Sequence, residues 1–375
     1  DDFTFGRQWF WPEQQPDVSA DAGQQNVNLD GAGNGMAQVM VGRDLPYAMT
    51  YRVDLETTDV SHLASSATQT FIAVPSAQLI GLRSDFVGTV NTPIQTAVIV
   101  TDAQGKAQPG TRVHVELQKM EYSGVTQIVE GSEAARNQVQ YVNAAQVDVT
   151  SEVQPLRVSL ETKDAGSYRI RANFAGSPED ASATDAQVWV TGPGQAAWGQ
   201  ENPSQLQLKL DKRTYVAGDS AMLAVASPYE NADLYVSVVR DRVLYKTLVH
   251  VNGSAPRVRI PVSRDMFPNA AVQGVLVRRG KPVTGSNAQG VDSLVRIGMV
   301  PISLDLQPQY LTVKITPAQP RVEPHARQRL RFHLSDRSGK PVQGQFTVIV
   351  ANDAILQLSG YRAPDLVKIV LQDQP

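Results

Sequence analysis

Apolar and polar residues alternate with a period of two along most of the chain. Between Arg112 and Leu117, for example, every second residue is apolar. This alternation is typical of a β-strand with one buried face. The same pattern recurs at residues 156–160, 168–174, 206–210, 311–315 and 330–334. Because each strand keeps a polar face toward solvent, we predict an all-β protein made of tandem antiparallel β-sandwich domains and not a parallel sheet, whose strands are continuous apolar runs.

Turn residues between these strands repeat at one fixed spacing. The pattern Asp-x-x-Gly-Lys-x-x-x-Gly occurs at residues 102–110 and again at residues 336–344. Asp at the first position of a turn bonds to nearby backbone amides, and Gly tolerates a positive φ. We interpret the two matches as one hairpin type repeated in separate domains, which predicts an array of related β modules.

Breaks rich in polar residues, Gly and Pro divide the chain. The clearest is Thr-Gly-Pro-Gly-Gln at residues 191–195, and softer breaks lie at residues 74–77 and near Met299–Pro301. They predict four domains at residues 1–75, 76–194, 203–298 and 301–375, each within reach of a sandwich. The chain begins with Asp1 and not with Met, so we expect a segment of a longer protein whose first and last domains are incomplete.

Two short stretches depart from the strand pattern. Residues 353–358 combine helix-forming residues with a capping Asp, and they predict a short helical turn that ends at Gly360. Residues 363–366 then predict an exit into irregular chain. Residues 36–41, by contrast, are interpreted as a further strand that follows the glycine-rich loop 31–35.

Composition excludes several classes of chemistry. The 375 residues contain no Cys, which excludes disulfides, cysteine-based zinc sites and a thioester within this segment. With 34 basic and 37 acidic residues, the net charge is −3, and no electrostatic case exists for a nucleic-acid partner. No run of about 18 apolar residues occurs, so we do not expect this segment to span a membrane.

No candidate catalytic, cofactor-binding or metal-binding residue stands out. The glycine-rich loop at 31–35 is not followed by a helical pattern, so it does not match a dinucleotide-binding loop. No phosphate-binding loop or nucleophile elbow is present. No two histidines have the spacing of metal ligands among His62, His114, His250, His325 and His333. We therefore predict that the segment is not an enzyme and takes no cofactor.

Two local motifs each allow two interpretations. Asn252-Gly253-Ser254 is interpreted as a hairpin turn between strands at 248–251 and 258–260, and it also fits the weak N-glycosylation pattern. Three adjacent aromatic residues, Trp9-Phe10-Trp11, place at least one ring on each face of a strand. Core on one side and a domain interface on the other is one account of them, and a ligand-binding surface is the other.

Residues from Leu208 onward resemble a known family. Leu-Asp-Lys-Arg-Thr-Tyr-Val-Ala-Gly-Asp at 210–219 looks like the opening of a macroglobulin-like domain, and residues 226–238 and 258–269 continue that pattern. Residues 313–356, followed by Tyr-Arg-Ala-Pro-Asp at 361–365, are similar to the domain that leads into the bait region of bacterial alpha-2-macroglobulins. The resemblance is detailed over 205–370 and looser over 76–194. It departs from the family at 352–354, where Asn-Asp-Ala replaces Asp-Glu-Ala.

The resemblance implies a role in a large protein that traps proteases and is periplasmic, secreted or anchored to the envelope by lipid. In such proteins a protease cuts an exposed bait segment, and the assembly then rearranges around the attacker. Because this chain lacks Cys and ends near the point where the bait would begin, we expect it to be scaffold. Its partners would be proteases, met through the full-length parent, and other periplasmic proteins remain open as partners.

The alternative is a structural or adhesive array of immunoglobulin-like modules on a bacterial surface. Such an array explains the β repeats and the lack of a catalytic motif equally well. It does not explain the family-like spacing of the final helix and of Ala363-Pro364-Asp365. The sequence that follows Pro375 in the parent would distinguish the two interpretations.

Overall fold

The computed structural model describes residues 3–18, 23–42, 45–58, 64–129, 132–176, 180–194, 196, 198–199, 205–279, 295–323, 325–345, 347–352, 356 and 364–372. In chain order the strands are β1 (Thr4–Phe5), β2 (Met49–Thr58), β3 (Ala64–Ala73), β4 (Leu79–Ser84), β5 (Val87–Thr89), β6 (Ile94–Thr101), β7 (Arg112–Val129), β8 (Ser132–Thr150), β9 (Leu156–Leu160), β10 (Gly166–Phe174), β11 (Thr184–Thr191), β12 (Gln207–Leu210), β13 (Thr214–Tyr215), β14 (Ser220–Ala226), β15 (Asn231–Val239), β16 (Val243–Asn252), β17 (Arg257–Pro261), β18 (Asn269–Arg278), β19 (Val295–Leu304), β20 (Thr312–Pro317) and β21 (Leu330–Ser335). Short 3-10 helices lie at Asp180–Ser182, Arg264–Met266 and Gln307–Gln309, and an α-helix, α1, lies at Leu366–Val370. The predicted all-β class is confirmed.

The first sandwich consists of two sheets with the strand orders β1-β4-β6-β9 and β5-β11-β10-β7-β8. Every neighbouring pair is antiparallel except β5 and β11, which run parallel. The alternation in β7 is confirmed, since Val113, Val115 and Leu117 are fully buried. They pack in one apolar core with Ile80, Leu82, Val98, Tyr168, Ile170 and Val188.

The second sandwich repeats this topology, except that it has no counterpart of β1 among the described residues. Its sheets have the orders β12-β14-β17 and β13-β19-β18-β15-β16, and again a single pair, β13 and β19, is parallel. Strand β12 takes the place of β4, and β16 takes the place of β8. The core of this unit is separate from that of the first and includes Leu206, Tyr215, Leu223, Val236, Ile260, Met266 and Ile302.

The shared topology corrects the hairpin predicted at Asn252-Gly253-Ser254. Strand β16 pairs with β15, and β17 pairs with β14 in the other sheet, so the two strands around this turn do not pair with each other. The turn instead carries the chain from one sheet to the other, as the β8–β9 connection does in the first sandwich. An Asn-Gly pair supplies the tight bend in either case, and Gly253 has a φ of 94°.

The two Asp-Gly-Lys turns adopt the same local structure. In the first, the Oδ1 atom of Asp102 accepts hydrogen bonds from the amides of Gln104 and Lys106, at 3.1 and 2.8 Å. In the second, Asp336 Oδ1 accepts from Ser338 and Lys340, at 2.9 and 3.0 Å. The repeat seen in the sequence is therefore a repeat of hydrogen bonding.

Two antiparallel ribbons lie outside the two sandwiches. Strands β2 and β3 pair with each other, as do β20 and β21. Strand β19 runs through Met299–Pro301 to complete the second sandwich, so the predicted break at 299–301 falls within a strand. The cause is that Val300 and Ile302 continue the apolar alternation of that strand. The division into four domains remains a prediction.

Three local predictions differ from the structure. Residues 36–41 form no strand, and residues 9–11 also lie outside strands because β1 ends at Phe5. The chain after residue 363 is not wholly irregular, since α1 follows Asp365, whose Oδ1 caps the amide of Lys368 at 3.1 Å. Residues 353–355 and 357–363, which include most of the predicted helical turn, lie outside the described residues.

Gly298 in β19 lies directly against the backbone of the segment that leads into β12. A Cβ atom there would lie 1.9 Å from the carbonyl oxygen of Leu206. The Leu206 amide also donates to the Ile297 carbonyl at 3.0 Å, which holds the two segments together. We expect Gly298→Ala to lower the free energy of unfolding of this sandwich by about 3 kcal/mol or more, because backbone must move to admit the methyl group.

Urea unfolding, monitored by hydrogen exchange at the amides of β12 and β19, measures the stability of this sandwich. Gly31→Ala is the matched control, since a Cβ at Gly31 meets nothing within 4 Å. Equal stability of the two variants would contradict the assigned close approach.

Candidate functional site at the junction of the two sandwiches

The N-terminal segment 6–13 covers the outer face of β10. The Gly6 amide donates to Thr184 Oγ1 at 3.0 Å, and the Gln8 amide donates to Asp185 Oδ2 at 3.3 Å. The polar face predicted for residues 168–174 is therefore wrong in part, because Arg169 and Arg171 are 5% and 7% exposed. Both lie under a segment that comes from the far end of the sequence.

A charged cluster lies beneath this segment. The Nε atoms of Arg169 and Arg171 lie 3.8 and 4.0 Å from Oδ1 of Asp185, which is fully buried. Burial raises the pKa of Asp185, and the two guanidinium groups oppose the rise. Arg169 also lies over the ring of Tyr141, whose hydroxyl donates to Glu13 at 2.8 Å. The cluster thus ties β10 and β11 to the covering segment.

The three adjacent aromatic residues also pack within the covering region. The Trp9 ring meets Tyr47 edge to face at 5.3 Å, Phe10 is buried, and Trp11 lies 5.9 Å from Tyr122. Burial raises the pKa of Tyr122 to about 12. These contacts agree with the core-and-interface account, and they arise without a strand at residues 9–11.

Residues 191–194 of the predicted linker dock against the second sandwich. The Gly192 amide donates to the Ala255 carbonyl at 3.4 Å, and the Ser254 amide donates to the Gly194 carbonyl at 3.3 Å. A Cβ atom at Gly253 would lie 3.2 Å from that same Gly194 oxygen. The turn that carries the chain between sheets therefore also receives the chain that arrives from the first sandwich.

Two tryptophans form the apolar centre of this junction. Trp189 on β11 and Trp198, three residues after the linker, are in contact, with ring centroids 4.9 Å apart and ring planes inclined by 46°. They form one cluster with Ala224 and Ala226 of β14, and Val87 packs against it. The Trp198 indole also donates to the Ser254 carbonyl at 2.8 Å. Large aromatic surfaces packed on small residues exclude water and bring the two sandwiches close together.

Lys209 is the titratable residue most affected by the junction. It lies on β12, and its Nζ atom donates to Oε1 of Gln187 on β11 at 2.9 Å. The ammonium group also lies 5.6 Å from the centre of the Trp189 ring. Among the described residues no carboxylate lies within 4 Å of Nζ, and burial lowers the pKa of Lys209 to about 8. Lys209 is thus a half-buried cation without a carboxylate partner in the described part of the chain.

An open cleft of about 850 Å³ lies beside Lys209, between the sandwiches. Both units contribute side chains to it, with Arg83 and Arg157 from the first and Leu208, Lys209 and Arg213 from the second. Alternation along the strands gives no indication of this cleft, because it forms only where the two sandwiches pack together.

The described residues contain neither a candidate metal site nor a candidate membrane-spanning helix. No group of three or more His, Asp and Glu side chains among them could hold a metal ion. In the same part of the chain, no helix is both long and apolar enough to cross a bilayer. That no residue of this chain is catalytic or binds a cofactor remains a prediction from the sequence.

The fold and junction define a tandem β-sandwich protein, and comparisons identify its family. Residues 206–358 match the family model of the alpha-2-macroglobulin bait region domain. An alpha-2-macroglobulin homolog from a Nostoc species is 45% identical over 375 residues, which are 100% of this chain and 20% of the relative. The alpha-2-macroglobulin of Escherichia coli is 22% identical over 72% of this chain and 16% of its own length.

Solved structures include alpha-2-macroglobulin of Salmonella. It is 14% identical and matches 98% of this chain and 24% of its own, with a TM-score of 0.37. The chain belongs to the alpha-2-macroglobulin family, and the resemblance drawn from its residues is confirmed. It spans about a fifth of the length of the Nostoc relative.

Trp198 is expected to hold the junction together. We expect Trp198→Ala to weaken the docking of the linker by about 2 kcal/mol, because the stack on Trp189 and the bond to Ser254 are both lost. Hydrogen exchange at the amides of Gly192 and Ser254 measures the effect and should become faster. Trp198→Phe keeps an aromatic ring against Trp189, so its exchange rates should lie between those of the unaltered chain and of Trp198→Ala. Unchanged exchange in both variants would contradict the assignment.

The stability of the junction should depend on pH through Lys209. A free lysine has a pKa of about 10.4, so the unfolded chain holds this proton more tightly than the folded chain does. Unfolding free energy should therefore rise as pH increases from about 8 toward about 10. Denaturant unfolding at pH 7.5 and 9.5 measures the slope.

Lys209→Met should abolish that difference, whereas Lys106→Met, at an exposed turn residue, should leave it unchanged. A slope that is the same in the unaltered chain and in Lys209→Met would show that Lys209 is not its source.

Proposed function

We propose that this chain is a scaffold segment of a bacterial alpha-2-macroglobulin-like protease trap, and that it is not itself an enzyme. The observation that carries the proposal is the 45% identity to the Nostoc homolog across all 375 residues. The family resemblance supplies the activity: proteases are the partners of the whole protein, and cleavage of its bait triggers a rearrangement. The same resemblance supports a periplasmic or envelope location, a lipid anchor in the parent and a role in host defence.

The junction suggests how the segment contributes to such a rearrangement. Hydrogen bonds join the first sandwich and the chain that leaves it to the second sandwich. They include those of Gly192 with Ala255, Trp198 with Ser254, Lys209 with Gln187, and Arg257 with Thr89 at 2.7 Å. Together with the Trp189 cluster, these contacts favour movement of the two sandwiches as one rigid body. We propose that the pair acts as a strut while other parts of the trap move.

The position of the bait belongs to the proposal. The matched family model carries the name of the bait region on residues 206–358, whereas the resemblance to the domain preceding the bait places the cleaved segment after residue 375. We favour the second position, because much of residues 206–278 is committed to the two packed sheets of the second sandwich.

Limited proteolysis of the full-length parent tests this function. After trypsin or elastase treatment, we expect a change in small-angle scattering, with the first cuts mapped by mass spectrometry outside residues 206–358. The 375-residue chain alone should not inhibit either protease. The segment's hydrogen-exchange pattern at the junction should be the same before and after cleavage.

Each part of the proposal has its own contrary result. An unchanged scattering profile at complete cleavage would refute the trap and favour a structural array of immunoglobulin-like modules. A first cut within 206–358 would move the bait into this chain. Stoichiometric inhibition by the isolated chain would refute its role as scaffold alone.

A further inference from the structure

The cleft between the sandwiches differs in charge from the rest of the chain. Its lining includes five cationic side chains and only two acidic ones, Asp85 and Asp211, although the chain as a whole has a net charge of −3. The cations are Arg83, Arg157, Lys209, Lys212 and Arg213. Positive charge concentrated between low-dielectric walls produces a field that attracts anions.

The carboxylates of the two acidic residues in the cleft already accept hydrogen bonds from neighbouring groups. Asp85 Oδ2 accepts from the amide of Gln95 at 3.2 Å. Asp211 Oδ1 accepts from the hydroxyl of Tyr215 and from the amide of Met222, both at 2.7 Å. Their carboxylates serve local turns and strands and form no ion pair with the cleft's cations among the described residues.

Most of the cations, in contrast, have no carboxylate partner. Lys212 forms an ion pair with Asp219 at 3.1 Å. Arg83 and Arg213 lie over the rings of Phe3 and Phe86, at 5.0 and 5.4 Å, and form no ion pair within the described part of the chain. Arg157 lies on the exposed face of β9. The guanidinium groups of Arg83, Arg157 and Arg213 therefore keep hydrogen-bond donors available for a ligand.

Lys209 gives the strongest indication of a missing anion. Lys209 is half-buried; withdrawing an ammonium even partly from water is costly, and proteins offset this cost with a paired charge. Gln187 supplies only neutral oxygens, from its side chain at 2.9 Å and from its carbonyl at 3.4 Å. An ammonium has three donors, so Nζ retains one for a group that enters the cleft.

We propose that the cleft binds a short acidic stretch of a polypeptide, whose carboxylates pair with Lys209, Arg157 and Arg213. A volume of about 850 Å³ lies near the upper end of the range for ligand sites, and the cations stand on separate elements of two sandwiches. An extended ligand with several carboxylates meets that arrangement better than a compact anion does. This binding is independent of the proposed role in a protease trap.

Isothermal titration of the 375-residue chain with capped hexaglutamate tests the site. We expect saturable binding at one site, with an affinity that falls as salt rises, because ionic strength screens exposed charges. Arg157→Gln and Arg213→Gln should each weaken binding about threefold to fivefold, which is the scale of an exposed ion pair. Lys209→Met should weaken binding about tenfold or more, because the ligand carboxylate that pairs with Lys209 is the one withdrawn from water.

Controls separate this site from general attraction. Lys106→Met and Lys163→Met remove positive charges outside the cleft lining, and both should bind hexaglutamate as the unaltered chain does. Capped hexaglutamine should not bind. The arginine variants keep the test decisive if Lys209→Met disturbs the junction, because both arginines are exposed and hold no ion pair in the described structure.

Three results would overturn the proposal. The first is the absence of saturable hexaglutamate binding at low salt. The second is binding that is equally weakened by the cleft variants and by the two controls. The third is citrate binding as tightly as hexaglutamate, which would mark a site for small anions and not for a peptide.

Discussion

The stack of Trp198 on Trp189 is the contact on which the arrangement of the two sandwiches depends. One ring belongs to a strand of the first unit and the other to the chain that leaves it, and both lie against alanines of β14. Small residues at that position let the rings approach the second sheet closely. The rings thereby hold the linker close to the sheet-crossing turn at 253–255, and they hold Lys209 close to β11. A segment rich in Gly, which in isolation would be flexible, is thereby fixed along a surface.

The period-two alternation predicts the fold class well, because successive residues of a strand face opposite sides of its sheet, so that the buried face appears in the sequence as every second residue. It identifies the inner face of β7 and the boundaries of β9 without change. It fails for Arg169 and Arg171, since the segment that covers them is distant in sequence: Gly6 bonds to Thr184, which lies 178 residues further along the chain. A polar outer face looks the same in sequence whether it meets water or a distant segment of chain.

Sequence reasoning about the site has a similar limit. Arg157 and Lys209 are ordinary polar-face residues of their strands, and only the packing of two separate units brings them to one cleft. Likewise, Asn-Gly correctly predicts a tight bend at 252–253, but a bend does not reveal which strands pair on either side of it. The repeated Asp-Gly-Lys turn succeeds because all of its hydrogen bonds are local.

The parallel pairing of β13 with β19 has a mechanical consequence. Strand β13 follows β12, the first strand of the second sandwich, and β19 is the last strand; Thr214 and Tyr215 lie opposite Ser303 and Leu304. Tension applied to the chain on both sides of this unit reaches β13 through β12 and pulls the two parallel strands in opposite directions along their axes. The ladder is then loaded in shear, so its hydrogen bonds share the force and do not open one at a time. The β5–β11 pair gives the first sandwich the same geometry, and tandem units of this kind transmit a pull along the chain without being unzipped by it.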